Sequence, residues 1–283
     1  PETLTPFPTI TTSISTPNKF IWQIDHLQLP SSVNIYSTQP NTQGETILKN
    51  LAEKLNFQGE PQIIPNSPLI FYNNSLEATD IYLNTDENLI KYSLNLLEKP
   101  IPQNTKTPPI TDLLPSNIIK TATYYQVLNG PRFVNSTKDK AKFITTTYNY
   151  TLNSLPILFP KGNSIEATHT LSGQLVKLSL NLPPTISSHP ELVSGSTSSL
   201  PTKTITQIKS TPATEFTTIA LTGNQQFQLS DQEINIDTAT INNGFLGYIY
   251  TQNTLIPHIF LTGTTQDPTY GTIELLLATP ATL

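Results

Sequence analysis

The sequence predicts an α+β fold in which strands dominate, arranged as tandem small units that each hold an antiparallel meander sheet and few helices. Three observations support this class. Short runs of alternating apolar residues recur along most of the chain, with Asn-, Ser-, Asp- and Gly-rich turns between them. Clear helical periodicity is concentrated near residue 50. The length of 283 residues also exceeds what one small unit needs, because single domains usually hold roughly 100–150 residues.

Composition excludes several classes of function. Charged residues make up 12% of the chain, whereas about 25% is typical, so the surface is mostly neutral and polar. The formal net charge is -5 and the basic residues are scattered, which argues against nucleic-acid binding, since phosphate contacts need clustered Lys and Arg. The chain has no cysteine, which excludes disulfides and thiolate metal sites.

The start of the chain indicates its compartment. Residues 1–18 alternate proline with hydroxyl residues and are predicted to form a linker or an arm. The chain begins at Pro1 and lacks methionine, so we expect an export signal or an anchoring helix upstream of Pro1. The absence of Cys, with abundant Ser and Thr, is typical of bacterial cell surfaces. We therefore expect an extracytoplasmic, cell-surface or membrane-anchored protein whose only membrane contact is that upstream tether.

The first unit is predicted to span 19–100. At the start of this unit, Phe20 and Trp22 stand at alternate positions of a predicted strand. Trp22 is the single tryptophan of the chain, and its expected role is core packing. The best helix of the sequence is predicted over 44–57, with a capping box formed by Thr42 and Glu45 at its start and Gly59 at its end. Three strands are predicted to follow, at 68–73, 78–84 and 88–97.

A proline-rich joint over 101–115 leads into a middle β-rich unit over 116–184. Ser172–Gly173 is predicted to be the turn of a hairpin, because glycine tolerates the positive φ that such turns need. The strands of this unit are predicted at 122–134, 141–152, 155–159, 164–171 and 174–182.

A Ser-rich loop over 185–201 then precedes a C-terminal α+β unit over 202–283. A short helix capped by Thr202 is predicted over 203–210. The expected strands are 215–221, 232–241, 245–251, 255–262 and 271–278, with Gly223, Gly244, Gly263 and Gly271 marking the breaks between them.

The order of these pieces resembles a known family. TILKNLAEKLNFQGEPQII precedes PLIFYNN, YNYTLNSLPILF leads into SIEATHTLSGQLVKLSLNL, and INNGFLGYIYTQNTLIPHIFLTGT follows near the end. This order is similar to the extracytoplasmic part of bacterial YycH/YycI-type regulatory proteins and their PepSY-like relatives, which have cystatin-like α+β units. The late motif of that family, Leu-Gly-Tyr-Tyr followed by Leu-x-Pro, matches Leu246, Gly247, Tyr248, Tyr250, Leu255 and Pro257.

The resemblance implies an anchored outer domain that acts through protein contacts and that, in the best-known members, restrains a sensor kinase. The low charge, the proline-rich joint and the Ser-rich insertion depart from the family pattern and favour a more general surface role. Because tyrosine is favoured at interfaces and strand edges pair readily, the expected contacts are strand edges and the segment 245–258. The candidate interface residues are Tyr248, Tyr250, Leu255, Pro257 and Trp22.

No residue pattern predicts catalysis, a cofactor or a metal site. The histidines His26, His169, His189 and His258 are far apart in the sequence, and zinc sites need a designed spacing. Glu166 and His169 are three apart on a predicted strand, which places them on opposite faces. Asp86–Glu87 and the acidic residues at 231–233 lack the spacing of a calcium loop and are interpreted as solvated turns.

These observations leave three hypotheses. The first is a non-enzymatic envelope protein that regulates or scaffolds another protein through direct contacts. The alternative is a self-assembling surface subunit of a coat, an S-layer-like lattice or a filament, in which a strand-like N-terminal arm completes the sheet of a neighbour. A minor alternative is an envelope hydrolase that uses Glu166 or His169.

Overall fold

The computed structural model describes residues 16–74, 79–96, 110–130, 132–159, 164–186, 199–223, 236–251, 254–268 and 271–282. Over these ranges the chain is strand-dominated and mostly antiparallel, which confirms the broad fold class. The strands are β1 Lys19–Trp22, β2 Ser32–Val33, β3 Tyr36–Gln39, β4 Gln62–Ile63, β5 Leu69–Asn74, β6 Thr79–Asn84, β7 Leu89–Leu94, β8 Ile118–Asn129, β9 Arg132–Asn135, β10 Phe143–Leu152, β11 Leu155–Leu158, β12 Ile165–Thr170, β13 Leu175–Asn181, β14 Thr185–Ile186, β15 Leu200–Pro201, β16 Thr217–Gly223, β17 Thr238–Thr251, β18 Thr254–Asp267 and β19 Gly271–Pro280. The helices are α1 Gly44–Lys54, α2 Ile110–Leu113 and α3 Ile205–Ser210.

The chain divides into two compact units, and each is built from separate stretches of sequence. Unit 1 comprises Pro1–Gln39, Thr151–Asn163 and Ile186–Leu283. Unit 2 comprises Pro40–Tyr150 and Ser164–Thr185. Most of the predicted joint at 101–115 and most of the predicted loop at 185–201 lie outside the described residues, so the linear three-unit division stays a prediction.

Unit 2 contains a continuous antiparallel sheet in the order β4-β5-β6-β7-β13-β12-β10-β8-β9. Along β6 and β7 every second residue is buried, which is the pattern of strands with one face on a core. The predicted hairpin at Ser172–Gly173 is confirmed, because β12 and β13 pair across it and Gly173 has a φ of 91°. Buried and more exposed residues thus alternate along these strands, as the pleat of the sheet requires.

Helix α1 packs on this sheet with one apolar face. Leu48, Leu51 and Ala52 are buried, and burying each leucine contributes about 2 kcal/mol. A Cβ added to Gly44 would lie 3.0 Å from Leu182 Cδ1, so glycine allows the helix start to approach the sheet closely. The C-terminal end of the helix continues into Phe57, whose ring packs against Tyr92 at 6.3 Å.

The ends of α1 differ from the prediction. The capping box of Thr42 and Glu45 is wrong, because Gln43 is the N-cap residue and makes no side-chain capping bond. Asn41 instead accepts a hydrogen bond from the Gln43 amide at 2.8 Å. The helix stops at Lys54 rather than 57, since Asn56 adopts a left-handed φ of 63° and takes the terminating role assigned to Gly59.

Two other predicted elements divide differently along the chain. The strand predicted at 122–134 is wrong as one element, because Gly130 has a φ of 59° and turns β8 back into β9. The helix predicted at 203–210 is confirmed as α3, but its cap is Thr204 and not Thr202. Thr204 and Gln207 form a reciprocal capping box, which satisfies two amide groups at the helix start.

Unit 1 is organised around the long hairpin of β17 and β18. Strand β18 pairs with β17 on one side and with β19 on the other, and β16 extends the antiparallel order beyond β19. The start of β18 also pairs with β3. The free side of β17 accepts two short strands in parallel, β1 along Thr238–Ile241 and β11 at Tyr248–Ile249. β17 therefore joins segments that are distant in the sequence.

Both faces of this sheet are apolar. One buried cluster contains Ile241, Leu246, Ile259 and Leu261, and α3 contributes Ile208 to it. On the other face, Ile249, Phe260 and Leu276 belong to a second buried cluster with Leu158 and Ile219.

None of the helices within the described ranges combines the length and the apolarity needed to span a bilayer.

The glycines of β17 and β18 were interpreted wrongly as breaks between strands. Gly244 and Gly263 lie inside the paired strands, so the runs predicted at 245–251 and 255–262 are parts of longer strands. A Cβ on Gly263 would lie 2.3 Å from the carbonyl oxygen of Thr240. Glycine within a strand often marks such a close backbone approach. Here it stands beside the bulge between Ile241 and Asn243.

We predict that Gly263→Ala lowers the free energy of unfolding of unit 1 by about 3 kcal/mol, because the backbone must move to admit the methyl group. The adjacent Thr264→Ala is the control and should cost about 1 kcal/mol or less. Chemical denaturation followed by fluorescence of Trp22, which lies in this unit, measures both. An alanine variant as stable as the parent would show that the approach between β17 and β18 is looser than described.

Candidate interaction surfaces

Four of the five candidate interface residues lie side by side in the β17–β18 hairpin. Tyr248 pairs with Pro257, and Tyr250 pairs with Leu255. The register places all four on the same face, as the motif spacing requires. Tyr248 is 3% exposed, Leu255 is fully buried and Pro257 is also buried. In the described conformation this face belongs to the interior.

The Tyr248 side chain packs against Tyr36, which is itself hydrogen-bonded to Asn153. Its ring meets the Tyr36 ring edge-on, with centroids 5.6 Å apart. Asn153 Nδ2 donates a hydrogen bond to the Tyr36 hydroxyl at 3.2 Å. Burial raises the pKa of Tyr248, and the neighbouring Tyr36 hydroxyl raises it further. Tyr248 is therefore a neutral side chain that packs against Tyr36 within unit 1.

Tyr250 and Trp22 are only half-buried, but both pack within unit 1. Tyr250 faces the Phe159 ring at 5.5 Å. Trp22 lies 6.4 Å from the Phe216 ring and borders the buried cluster of β17 and β18, which agrees with the core-packing role expected from the sequence. The structure thus gives each of the five candidates an intramolecular packing role, and their use as an interface stays a prediction.

Glu166 and His169 make separate contacts. Lys177 Nζ donates to Glu166 Oε1 at 3.1 Å, between neighbouring strands. The Nδ1 atom of His169 is buried and finds no hydrogen-bond partner among the described residues. Burial lowers the pKa of His169, and the nearby positive charge of Lys120 lowers it further. The geometry therefore places an ion pair and a neutral imidazole where the minor hypothesis requires an acid–base pair.

His258 is a second partly buried imidazole, and it lies in unit 1. Its Nδ1 atom is 3.0 Å from the carbonyl oxygen of Ile256, so Nδ1 carries the proton. Burial lowers the pKa of His258; the bond to Ile256 opposes this shift, and Lys203 adds to it. His26 is exposed, and His189 lies outside the described residues. Over the described ranges, no three His, Asp or Glu side chains form a group able to hold a metal ion.

A chain of polar side chains crosses the strands at one end of unit 2. Gln126 donates to Asn135 at 3.1 Å and accepts from the Thr145 hydroxyl at 2.6 Å. Thr145 also shares a hydrogen bond of 2.7 Å with Thr168 on β12. Thr145 and Thr168 are buried, so this chain satisfies hydroxyl groups that would otherwise be costly to bury. It fixes the register of β9, β8, β10 and β12.

The other end of the same sheet presents apolar side chains to solvent. β4 forms this edge, and it pairs with β5 only through Gln62–Phe71 and Ile63–Ile70. Ile63 is 66% exposed and the next residue, Ile64, is 45% exposed. Pro61 and Pro65 flank the two isoleucines in the sequence. Two adjacent apolar residues between prolines are the signal of this surface in the sequence, and neither isoleucine was among the predicted interface residues.

The opposite edge is built to resist pairing. β9 covers only Gln126–Asn129 of the longer β8. In the uncovered part of β8, the pairs Thr147–Ala122 and Tyr148–Lys120 leave Thr121 as an extra residue, which makes a bulge. Bulges and edge lysines are common protections against strand addition. The β4 edge is thus the more accessible of the two for a partner.

We predict that acid destabilises both units through their partly buried histidines, His169 and His258. Because the folded-state pKa of His169 and of His258 is lowered, the unfolded chain binds more protons below its own value of about 6.5, and stability falls as the pH drops through that value. His258→Asn, whose amide can still donate to Ile256, should reduce this loss for unit 1. Unfolding free energies at about pH 7.5 and about pH 5.5 measure it.

The control is His26→Gln, which changes an exposed histidine. On acidification from about pH 7.5 to about pH 5.5, this variant should lose as much stability as the parent protein. An equal loss in the parent and in His258→Asn would contradict the role given to the His258 imidazole.

No protein-family model and no curated protein matches the chain. The resemblance to YycH/YycI-type proteins therefore depends on the order of sequence elements alone.

Proposed function

We propose that this chain is a non-enzymatic, extracytoplasmic bacterial surface domain that regulates or scaffolds another protein, and that it binds this protein through the β4 edge of unit 2. The observation that carries the proposal is the pair of exposed isoleucines at the edge of the sheet, with Ile63 in β4 and Ile64 directly after it. Contiguous exposed apolar side chains in a folded protein mark sites of protein interaction more often than scattered ones do.

The backbone of β4 supports this choice. Within the described ranges, no strand pairs with β4 on the side away from β5. An extended segment of a partner can therefore add to the sheet through main-chain hydrogen bonds, while the isoleucine side chains select for apolar residues. Pro61 and Pro65 limit the pairing length, because proline has no amide proton to donate. The result is a short and specific edge.

Charge near this edge narrows the chemistry of the partner. Burial raises the pKa of Tyr72 on β5, and the carboxylates of Glu60 and Glu53 raise it further. Glu60 is exposed and lies two residues before β4. A partner segment that alternates apolar and basic residues complements both the isoleucines and the Glu60 carboxylate.

The finer description of the fold belongs to the same proposal. α1 followed by the meander β5-β6-β7 has the helix-then-sheet order of a PepSY-like, cystatin-like unit. We propose that the chain is built of such units in tandem. Regulatory proteins of the YycH/YycI type combine these features.

The test places a photoreactive amino acid at Gln62, an exposed residue of β4, and irradiates the protein bound to an envelope fraction of the source bacterium. We expect a discrete cross-linked partner, and we expect Ile63→Glu with Ile64→Glu to reduce its yield about tenfold or more, since charges on both anchors prevent apolar contact. Ile35→Glu, which changes a 48% exposed isoleucine in unit 1, is the matched control.

Equal cross-linking in the parent, the double variant and the control would contradict the proposal. A circular dichroism spectrum identical to that of the parent must accompany the double variant. Because both isoleucines are exposed, we expect the substitution to leave the fold of unit 2 intact.

A further inference from the structure

Strand β1 binds along Thr238–Ile241 on the free side of β17, and this stretch of β17 is called the seat of β1. The parallel pairs run from Lys19–Thr238 to Trp22–Ile241. Additional bonds extend the pairing at both ends, from the Asn18 amide to the Ile236 carbonyl at 3.2 Å and from the Gln23 amide to the Ile241 carbonyl at 2.9 Å. Beyond Ile241 the bulge interrupts β17, and the next strand on this side is β11. The seat therefore accepts a short segment and no more.

Alternate side chains anchor the segment. Phe20 meets Phe216 edge-on at 4.9 Å, and Trp22 packs on both rings, at 5.6 Å from Phe20 and 6.4 Å from Phe216. Phe216 is 2% exposed, so the aromatic anchors reach the buried core. Ile21, between them, is 53% exposed. The seat thus recognises a strand with aromatic residues at alternate positions and an outward-facing residue between them.

The connection of β1 to the rest of unit 1 permits its exchange. β1 is the first described strand, and residues 23–31, which follow it, contain no regular element. Asp25 and His26 in this connection are both exposed, whereas Ile24 is buried in the cluster of β17 and β18, and Leu27 and Leu29 pack against it. Strand β1 therefore leaves β17 by an opening of the chain between Trp22 and Ile24, and it carries no other regular element of the described residues with it.

We propose that the seat on β17 is an interaction surface for a second copy of this chain, which inserts its own Lys19–Trp22 in place of the resident β1. The exchanged strand makes the same hydrogen bonds and aromatic contacts as the resident one, because the sequence and the seat are identical. Such an exchange costs little free energy beyond the loss of independent motion, and mass action favours it as concentration rises. The surface is distinct from the β4 edge and lies in the other unit.

The absence of natural cysteines allows a direct test with engineered ones. Ile21 and Thr240 are partners in the register, so cysteines at these positions face each other in the seat. In the double variant Ile21→Cys/Thr240→Cys, oxidation of dilute protein should form the disulfide within one chain. This result confirms that β1 occupies the described seat, and failure to form the disulfide overturns the proposal.

The decisive sample mixes two single variants, Ile21→Cys and Thr240→Cys, at high concentration before oxidation. Exchange predicts a disulfide-linked heterodimer, several-fold more abundant than in a control mixture of Ile35→Cys with Thr240→Cys, and increasing with concentration. Ile35 is exposed to a similar degree, at 48%, but is not a register partner of Thr240. A heterodimer yield no higher than in the control, with the double variant fully oxidised, overturns the proposal.

This result is independent of the proposed function. Loss of cross-linking at Gln62 leaves strand exchange untouched, and absence of exchange leaves the β4 edge untouched, because the substitutions fall in different units. A heterodimer would also revive the self-assembly hypothesis for unit 1 and identify the contact that makes it.

Discussion

The pairing of β17 with β18 is the interaction on which the structure of unit 1 depends. Their register extends from Thr240–Thr264 to Thr251–Thr254, and β1, β3, β11 and β19 each pair with one of these two strands. Gly263 allows the two backbones to approach beside the bulge. One local constraint therefore sets where β1 and β11 can bind and which residues enter the core.

The two units differ in how their sheet edges are protected from pairing with further strands. In unit 2 a short apolar edge at β4 contrasts with the bulged and lysine-bearing β8. In unit 1 the free side of β17 is already filled by two short segments of the same chain. Strand addition is thus restricted to a few residues at each place, which favours specific contacts over unlimited assembly.

The sequence predicted much of the fold, because alternation and turn residues act locally. The strands at β5, β6, β7, β12 and β13 follow from period-two burial, and α1 follows from its apolar spacing. Contacts between distant segments were not predictable. The pairing of β1 with β17, more than 200 residues apart, leaves no local pattern, and Gly263 of β18 serves a close approach to β17 rather than a turn.

The exposure of the candidate interface residues was not predictable for the same reason. Tyr248 and Pro257 form an attractive motif in the sequence, yet both are buried because the hairpin face is covered. Ile63 and Ile64 were predictable in type but not in exposure, since only the sheet order shows that β4 is an edge. Burial depends on the whole fold, whereas the motif depends on a few neighbours.

Hydrogen exchange of single amides tests the central claim most directly, which is that β17 and β18 form a persistent spine on which β1 is an exchangeable strand. We expect Leu246–Ile249 and Ile259–Leu261 to exchange slowest, through global unfolding of unit 1. We expect Lys19–Trp22 to exchange through an opening of lower free energy. Equal protection of both groups, with β1 exchanging only when β17 and β18 unfold, would contradict the account.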